Sequence, residues 1–467
     1  MNTHKRQRVH FIAIGGAVMH NLALALQAKG YDVTGSDDEF FEPSRGRLAA
    51  HGLLPDRPGW RPEMIDGGID AVILGMHAAA DNPELERARR LGLKIYSFPE
   101  YIYEQTAGKR RIVVGGSHGK TTTTAMIMHV LRHCGIKFDY LVGAQVDGFD
   151  TMVGLSSDSE VAVFEGDEYL TSPLDRTPKF LHYHPHVAVL TGIAWDHVNV
   201  FPTFDGYVDQ FRKFAHTLMP GGTLVYYVGD ERLGGIAAEE FPQGVVAVPY
   251  GGFGWRMGGD GSVWVSIAGR EVKTRLFGDH NMQNMNAAFL ACREAGVSDC
   301  QFAEAIASFA GAARRLQLLC DGADGAVAYL DFAHSPSKLR ATINAVRKRY
   351  MGRRIVACLE LHTFSSLSLG FLSQYAGTMD AADEAIVYYN PAVVEHKRLP
   401  LFAPADVEAA FAHPGLAVLT SSAEVRARLE GLDLRGAVLL FMTSGSFDGL
   451  DIRALASTLL GGDGRQG

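Results

Sequence analysis

A hydrophobic run, Ile112-Val113-Val114, leads into Gly115-Gly116-Ser117-His118-Gly119 and then Lys120-Thr121-Thr122-Thr123-Thr124. The chemistry these residues suit is phosphate binding. Glycines let backbone N–H groups curl around phosphate oxygens, and the N-terminus of a following helix adds the positive end of its dipole. In this reading Lys120 sits on the β- and γ-phosphates and the Thr121 hydroxyl holds Mg²⁺, while Gly116, Ser117, His118, Gly119 and Thr122 complete the cradle. The strict spacing asks for glycine at position 114, where this chain has Val114. A glycine turn before an ordinary helix is the plainer alternative. Strand, glycine loop, Gly-Lys-Thr and helix in that order favour a nucleotide site, and the nucleotide expected is ATP.

Two further strands end in groups that suit a cation. Residues 161–164 run into Glu165-Gly166-Asp167-Glu168, and residues 187–193 into Asp196-His197. Open α/β sheets bind ligands beyond the carboxyl ends of their strands. Carboxylates beside a triphosphate are tolerable only with bridging cations, so Mg²⁺ is expected there. For Glu165 alone, a solvated strand end is the plainer alternative, and the neighbouring phosphate loop counts against it. His182-Tyr183-His184-Pro185-His186 looks like a metal cluster, but alternate residues of an extended segment before a proline explain it better. Gly15-Gly16, with Asp37 about 20 residues on, invites a dinucleotide reading. That fingerprint needs glycine at 13 and 18, where Ala13 and Val18 stand, although a nucleotide diphosphate can still rest on the turn.

Such residues need strands to carry them and helices to cover the strands. Residues 1–108 offer strands at 9–14, 31–35, 71–75 and 94–96 with helices at 19–29 and 82–91, an alternation that implies a parallel sheet. Residues 109–315 offer strands at 112–114, 161–164 and 187–190 and helices at 121–134, 281–295 and 301–309. Within them, residues 251–278 are glycine-rich, alternate like a hairpin and read as a small antiparallel insert. Residues 316–467 offer five strands, at 326–330, 355–359, 384–389, 417–420 and 437–442, forming another open α/β sheet. The expected fold class is therefore α/β in three domains, which suits 467 residues at about 150 per domain. A net charge of -8 leaves no basic footprint for nucleic acid or an acidic membrane surface. Five scattered cysteines without a CxxC pair point to a reducing compartment. No signal peptide and no apolar run of about 20 residues is legible, so a cytoplasmic protein without membrane insertion is expected. Only residues 461–467 read as a frayed, low-complexity end.

The order of these features resembles the Mur ligase family of peptidoglycan synthesis over essentially the whole chain. The matching stretches are Ile14-Gly15-Gly16-Ala17-Val18-Met19 with Gly35-Ser36-Asp37, then Gly116-Ser117-His118-Gly119-Lys120-Thr121-Thr122 and Glu165-Gly166-Asp167-Glu168. Asp196-His197, Gly278-Asp279-His280-Asn281-Met282-Gln283-Asn284, Arg314-Arg315-Leu316 and Asp331-Phe332-Ala333-His334-Ser335-Pro336 follow in family order. The resemblance implies a Rossmann-like N-terminal domain for a UDP-sugar (1–108), with Gly15, Gly16, Ser36 and Asp37 at the sugar nucleotide. It implies a central P-loop ATPase domain (109–315) and a Rossmann-like C-terminal domain for an amine substrate (316–467). Its cofactors would be ATP and Mg²⁺. Lys120 would neutralise phosphate charge, Thr121 and Glu165 hold one Mg²⁺, and His197 contribute to a second. Asn284 would meet adenine, and Arg315 and Asp331 would close onto phosphate and ribose.

The carboxylate substrate implied is UDP-N-acetylmuramate, and the amine is an amino acid or peptide. The stretches Asp167-Glu168-Tyr169, Asp175-Arg176, 179–185, 278–282 and 442–449 are more similar to the branch that reattaches a recycled tripeptide, L-alanyl-γ-D-glutamyl-meso-diaminopimelate. The branch that adds L-alanine is the alternative.

That chemistry has a clear demand. A carboxylate does not acylate an amine at neutral pH, because oxide is too poor a leaving group. Phosphorylation by ATP makes an acyl phosphate, which the amine attacks with loss of phosphate; the protein positions the groups and neutralises charge. The catalytic candidates are Lys120, Glu165, His197 and His334. His334 either orients the amine or relays its proton, or merely caps the helix that starts at Pro336; His362 poses the same choice. Two other classes compete. A nicotinamide oxidoreductase fits the Rossmann-like blocks but not Ala13 and Val18, and a P-loop switch or motor would hydrolyse ATP without a carboxylate substrate.

Overall fold

The computed structural model of the 467-residue chain describes residues 6–76, 78–172, 174–259, 261–322 and 324–461. The low-complexity end expected at 461–467 lies, apart from Gly461, outside them. The chain divides into two compact units. One comprises the chain up to Ile193 with Asp205–Gly251 and Asn284–Ile306; the other comprises Ala194–Phe204, Gly252–Gln283 and the chain from Ala307 onwards.

The first unit holds two sheets. Short runs of apolar residues build a four-stranded parallel sheet in the order Asp32–Ser36, Arg8–Ile12, Ala71–Leu74, Ile95–Ser97. Val9 stands opposite both Val33 and Ala71, so Gly15 and Ser36 emerge at the same sheet end. Helix Ala17–Ala28 follows the first strand, with Gly16 as its N-cap. Helix Pro83–Arg90 begins where the Asn82 side chain accepts the Glu84 and Leu85 N–H groups, a strong capping arrangement.

The second sheet has seven strands in the order Val246–Tyr250, Thr223–Tyr227, Val187–Leu190, Arg110–Gly115, Val161–Glu165, Phe138–Leu141, Val153–Gly154. All neighbours are parallel except the last pair. Arg110–Gly115 is central and buried, and helix Lys120–His133 leaves from its carboxyl end. Four of these strands lie outside the expected set: Val153–Gly154 is too short and Phe138–Leu141 too mixed to read, whereas Thr223–Tyr227 and Val246–Tyr250 carry legible strand-forming runs. Phe138–Leu141, for example, alternates buried and half-buried residues beside continuous apolar runs.

In the second unit a six-stranded sheet runs Gln317–Asp321, Val327–Asp331, Val438–Met442, Ile355–Leu361, Glu384–Tyr389, Ala417–Leu419. The five strands expected from sequence are parallel. Gln317–Asp321 is the addition, antiparallel to Val327–Asp331 and bulged between Leu318 and Cys320, which breaks its alternation. The glycine-rich stretch forms three antiparallel strands, Trp255–Met257, Val263–Ile267 and Arg270–Thr274, one more than a hairpin. Among the described residues no helix is long and apolar enough to cross a membrane.

Candidate active site

The phosphate loop is built by the central strand. Val114 is fully buried and paired with Glu165, so the strand continues through the position where the strict spacing wants glycine; the turn begins later, at Gly116. Gly116 and Gly119 have φ of 132° and 69°, a region that favours glycine. A Cβ on Gly119 would run into the Asn284 side chain, and one on Gly116 into Thr191. The Ser117 N–H donates to the Gly192 carbonyl at 2.8 Å, which clamps the loop to the neighbouring strand's end. His118 presents its carbonyl to the Thr191 hydroxyl, and Thr122 is buried in the first helical turn.

Lys120 is the first residue of the helix, and Nζ donates to the Gly116 carbonyl at 2.7 Å and to Glu168 Oε2 at 2.6 Å. Burial opposes its ionisation, yet Glu168, Asp167 and Glu165 together raise its pKa above the usual lysine value. The Thr121 hydroxyl donates to Glu165 Oε1 at 3.0 Å, while Glu165 Oε2 accepts the Gly143 N–H at 2.8 Å. Hydroxyl and carboxylate from adjacent elements therefore share one point at the sheet's carboxyl end. An oxygen pair beside a phosphate cradle suits a hard divalent cation, so the residues present fit Mg²⁺ with a nucleoside triphosphate. Asp167 is paired with Lys179 at 2.6 Å; burial opposes its charge, but Lys179 and Lys120 hold its carboxyl well below the usual range.

At the N-terminal sheet, the Gly15 N–H donates to Asp37 Oδ2 at 2.7 Å. Burial pushes the Asp37 carboxyl up to about 6. Gly15, Gly16 and Asp37 thus meet at one turn. Ser36 is placed differently: its carbonyl accepts the Ala13 and Ile14 N–H groups, and its hydroxyl donates to the buried Glu84.

His197, Arg315, Asp331 and His334 belong to the second unit. His197 adopts a φ of 53°, and its N–H donates to Asp196 Oδ1 at 2.7 Å. Burial raises the Asp196 pKa, but Lys338, His197 and His334 bring it down to about 2. Burial, reinforced by Lys338, pushes His334 down to about 3 against the pull of Asp196. The His334 Nδ1 must donate to the Phe332 carbonyl at 2.8 Å, leaving Nε2 as the lone-pair nitrogen. Helix Pro336–Arg349 is N-capped by Ser335, so His334 is not its cap residue. Arg315 stacks 4.5 Å from the Phe332 ring centre. Asp331 accepts the Leu316 and Ala333 N–H groups at 2.7 and 2.8 Å and the Thr342 hydroxyl at 3.1 Å, and so holds the turn that carries Arg315. His362 lies 3.7 Å from Glu360.

The histidine-rich stretch needs a correction. Residues 182–186 are not an extended segment: Lys179–His182 is a 3₁₀ turn, because Leu181 and Tyr183 bond back three residues. The histidines go separate ways, His182 to Asp175, His184 to the Tyr103 ring and His186 to the Arg111 N–H.

Sequence reading missed several members. Glu168 lies in a quoted motif, but its pairing with Lys120 joins residues 48 apart. Tyr207 reads as core on the buried face of helix Phe204–His216, yet its hydroxyl reaches Glu168 and Ser117. Lys338 had a legible signal: a lysine in a helix's first turn opposes the dipole and asks for an acidic neighbour.

Residues 8–110 match the Mur ligase family, catalytic domain, and residues 114–292 match the Mur ligase middle domain. The chain belongs to the Mur ligase family. As a Mur ligase it is an ATP-dependent enzyme that forms amide bonds in peptidoglycan synthesis. It is similar to the UDP-N-acetylmuramate–L-alanine ligase of Arthrobacter sp. (strain FB24), 34% identical over 388 residues, with 81% of this chain and 80% of that protein covered. It is also similar to the UDP-N-acetylmuramate–L-alanyl-gamma-D-glutamyl-meso-2,6-diaminoheptandioate ligase of Escherichia coli (strain K12), 30% identical over 390 residues, with 81% and 84% covered. Among solved Mur ligase structures, a murein peptide ligase from Psychrobacter arcticus 273-4 matches with a TM-score of 0.66 and 25% identity, covering 97% of this chain and 99% of that one.

Proposed function

We propose that this Mur ligase joins the carboxylate of UDP-N-acetylmuramate to the amine of L-alanyl-γ-D-glutamyl-meso-diaminopimelate, in the cytoplasm and with ATP as phosphoryl donor. The observation that carries the phosphoryl-transfer part is the meeting of Lys120, Thr121 and Glu165 with the glycine loop at the carboxyl end of two adjacent strands. The tripeptide is supported by the stretch from Glu165 to Pro185, built around the Asp167–Lys179 and Asp175–His182 pairs, together with the similarity to the murein peptide ligase and to the E. coli enzyme.

In this mechanism Lys120 stays ionised and neutralises charge on the transferring phosphoryl group. Thr121 and Glu165, with His197 for a second ion, would hold Mg²⁺, which when bound would spread phosphate charge. Gly116, Ser117, His118, Gly119 and Thr122 cradle the phosphates; Asn284 serves adenine; Arg315 and Asp331 serve phosphate and ribose. Gly15, Gly16 and Asp37 take the sugar nucleotide, while Ser36, buried and bonded to Glu84, holds the turn from beneath. Attack on the acyl phosphate requires an amine with its lone pair free. His334, neutral and with Nε2 open as an acceptor, orients that amine and is too weak a base to store its proton at neutral pH.

L-Alanine is a second reading, favoured by the 34% identity to the Arthrobacter L-alanine ligase. Phosphate release from ATP with UDP-N-acetylmuramate, measured with each acceptor in turn, separates the two. Release with the tripeptide alone is expected; release with free L-alanine moves the enzyme to the other branch.

A further inference from the structure

The pairing of Lys120 with Glu168 has no obvious place in ATP binding, because a lysine meant for phosphate is already held by a carboxylate. We propose that Glu168 is an internal stand-in for the γ-phosphate, an anion that holds the phosphate-loop lysine and competes for it with incoming ATP. The proposal rests on reading this loop as the ATP site.

Three observations carry it. First, the pair is tight and shielded: Nζ to Oε2 is 2.6 Å, with 16% of the Lys120 side chain and 2% of the Glu168 side chain exposed. Such a pair is little screened by salt. Second, one carboxylate spans the loop. Glu168 Oε1 accepts the Tyr207 hydroxyl at 3.0 Å, and that hydroxyl lies 3.0 Å from Ser117 Oγ, so Glu168 touches the loop's lysine directly and its serine through Tyr207. The Tyr207 ring is fully buried edge-on against Phe211, which fixes where its hydroxyl points. Third, the neighbouring acids have other engagements. Glu165 takes Thr121 and Gly143, and Asp167 takes Lys179, so the charge facing Lys120 at bonding distance is that of Glu168.

Two consequences follow from elementary electrostatics. Glu168, with Asp167 and Glu165, keeps Lys120 ionised beside the loop, so the cation is charged before a phosphate reaches it. When a triphosphate enters, a second anion competes for one ammonium and meets the Glu168 charge in a poorly screened pocket, which weakens binding. The opposition is strongest for the phosphate nearest Lys120, so it falls on ATP more than on ADP. A merely structural Glu168 predicts neither effect.

Glu168→Gln separates the cases. Its amide oxygen still accepts from Lys120, and its amide N–H can donate to the Tyr207 oxygen if that hydroxyl turns toward Ser117, so the hydrogen-bond frame is kept while the charge is lost. Glu168→Met, of similar size and uncharged, is the second variant. Dissociation constants for MgATP and MgADP are measured by calorimetry on the full chain, with folding checked by thermal melts. The expected result is about tenfold tighter MgATP binding in folded variants, with a smaller change for MgADP. Unchanged or weaker MgATP binding in every folded variant overturns the proposal and leaves Glu168 as scaffold. A wild-type chain that binds neither nucleotide overturns the ATP reading of the loop, and the proposal with it.

Discussion

Asp37 closes the first turn by accepting the Gly15 N–H with one oxygen and the Asp38 N–H with the other. Burial raises its carboxyl from 3.8 to about 6, so the fold favours its neutral form. With the folded value above the unfolded one, that contribution to stability is whole below pH 3.8 and is lost as pH rises through about 6. Chemical denaturation of the wild type and Asp37→Asn should show the difference moving in the variant's favour between about pH 4 and 7. A difference that stays flat with pH would mean the carboxyl titrates normally. Tightly held acids of this kind, Asp37 at one turn and Glu168 at another, are where the residue scale adds chemistry that the motifs do not announce.

At the scale of elements, the join between the two sheets of the first unit is made by a buried cation that, among the described residues, meets carbonyls rather than a carboxylate. Arg111, on the central strand and 1% exposed, donates to the carbonyls of Thr106, Ala107, Lys109, Tyr183 and His184. The first two are carbonyls at the C-terminal end of helix Phe98–Thr106, which a cation satisfies well. Asn21 and Arg47 make a second tie, Asn21 Oδ1 accepting the Met152 N–H at 3.0 Å and Arg47 donating to the Asp150 carbonyl. The strand that ends in the phosphate loop is thereby fixed to the N-terminal sheet. Arg111→Met strands several buried carbonyls and should cost at least about 3 kcal/mol in denaturant unfolding, with Arg111→Lys recovering only part because an ammonium lacks the planar fork. A loss within about 0.5 kcal/mol would show that water replaces the guanidinium without penalty.

On the scale of the whole molecule, the compact units do not follow chain order: residues 194–204 and 252–283 group with the C-terminal sheet. Within that second unit, Trp255 and Lys348 both reach Asp279, and Phe277 packs on Tyr329. Ligand binding should be visible as global stabilisation. MgATP at a hundredfold excess over its Kd should add about 2.7 kcal/mol, read as a rise in Tm that chelating Mg²⁺ diminishes and Lys120→Ala removes. An equal rise in the chelated sample or in the variant would place the nucleotide elsewhere.

Local sequence determined the alternating strands and helices, the phosphate loop and the carboxyl-end acids, because each depends on neighbours within a few residues: an apolar run, a glycine with positive φ, a helix start. Gly116, Gly119 and Lys120 could be read in order for that reason. Short or bulged strands such as Phe138–Leu141 and Gln317–Asp321 could not, since partner strands stabilise them more than their own pattern does. Only the tertiary structure decided which charge meets which. Lys120 finds Glu168 across 48 residues, Arg111 finds His184 across 73, and the three histidines near Pro185 part company. Coulomb and hydrogen-bond energies act through space, and chain separation carries no information about that distance until the sheets have formed.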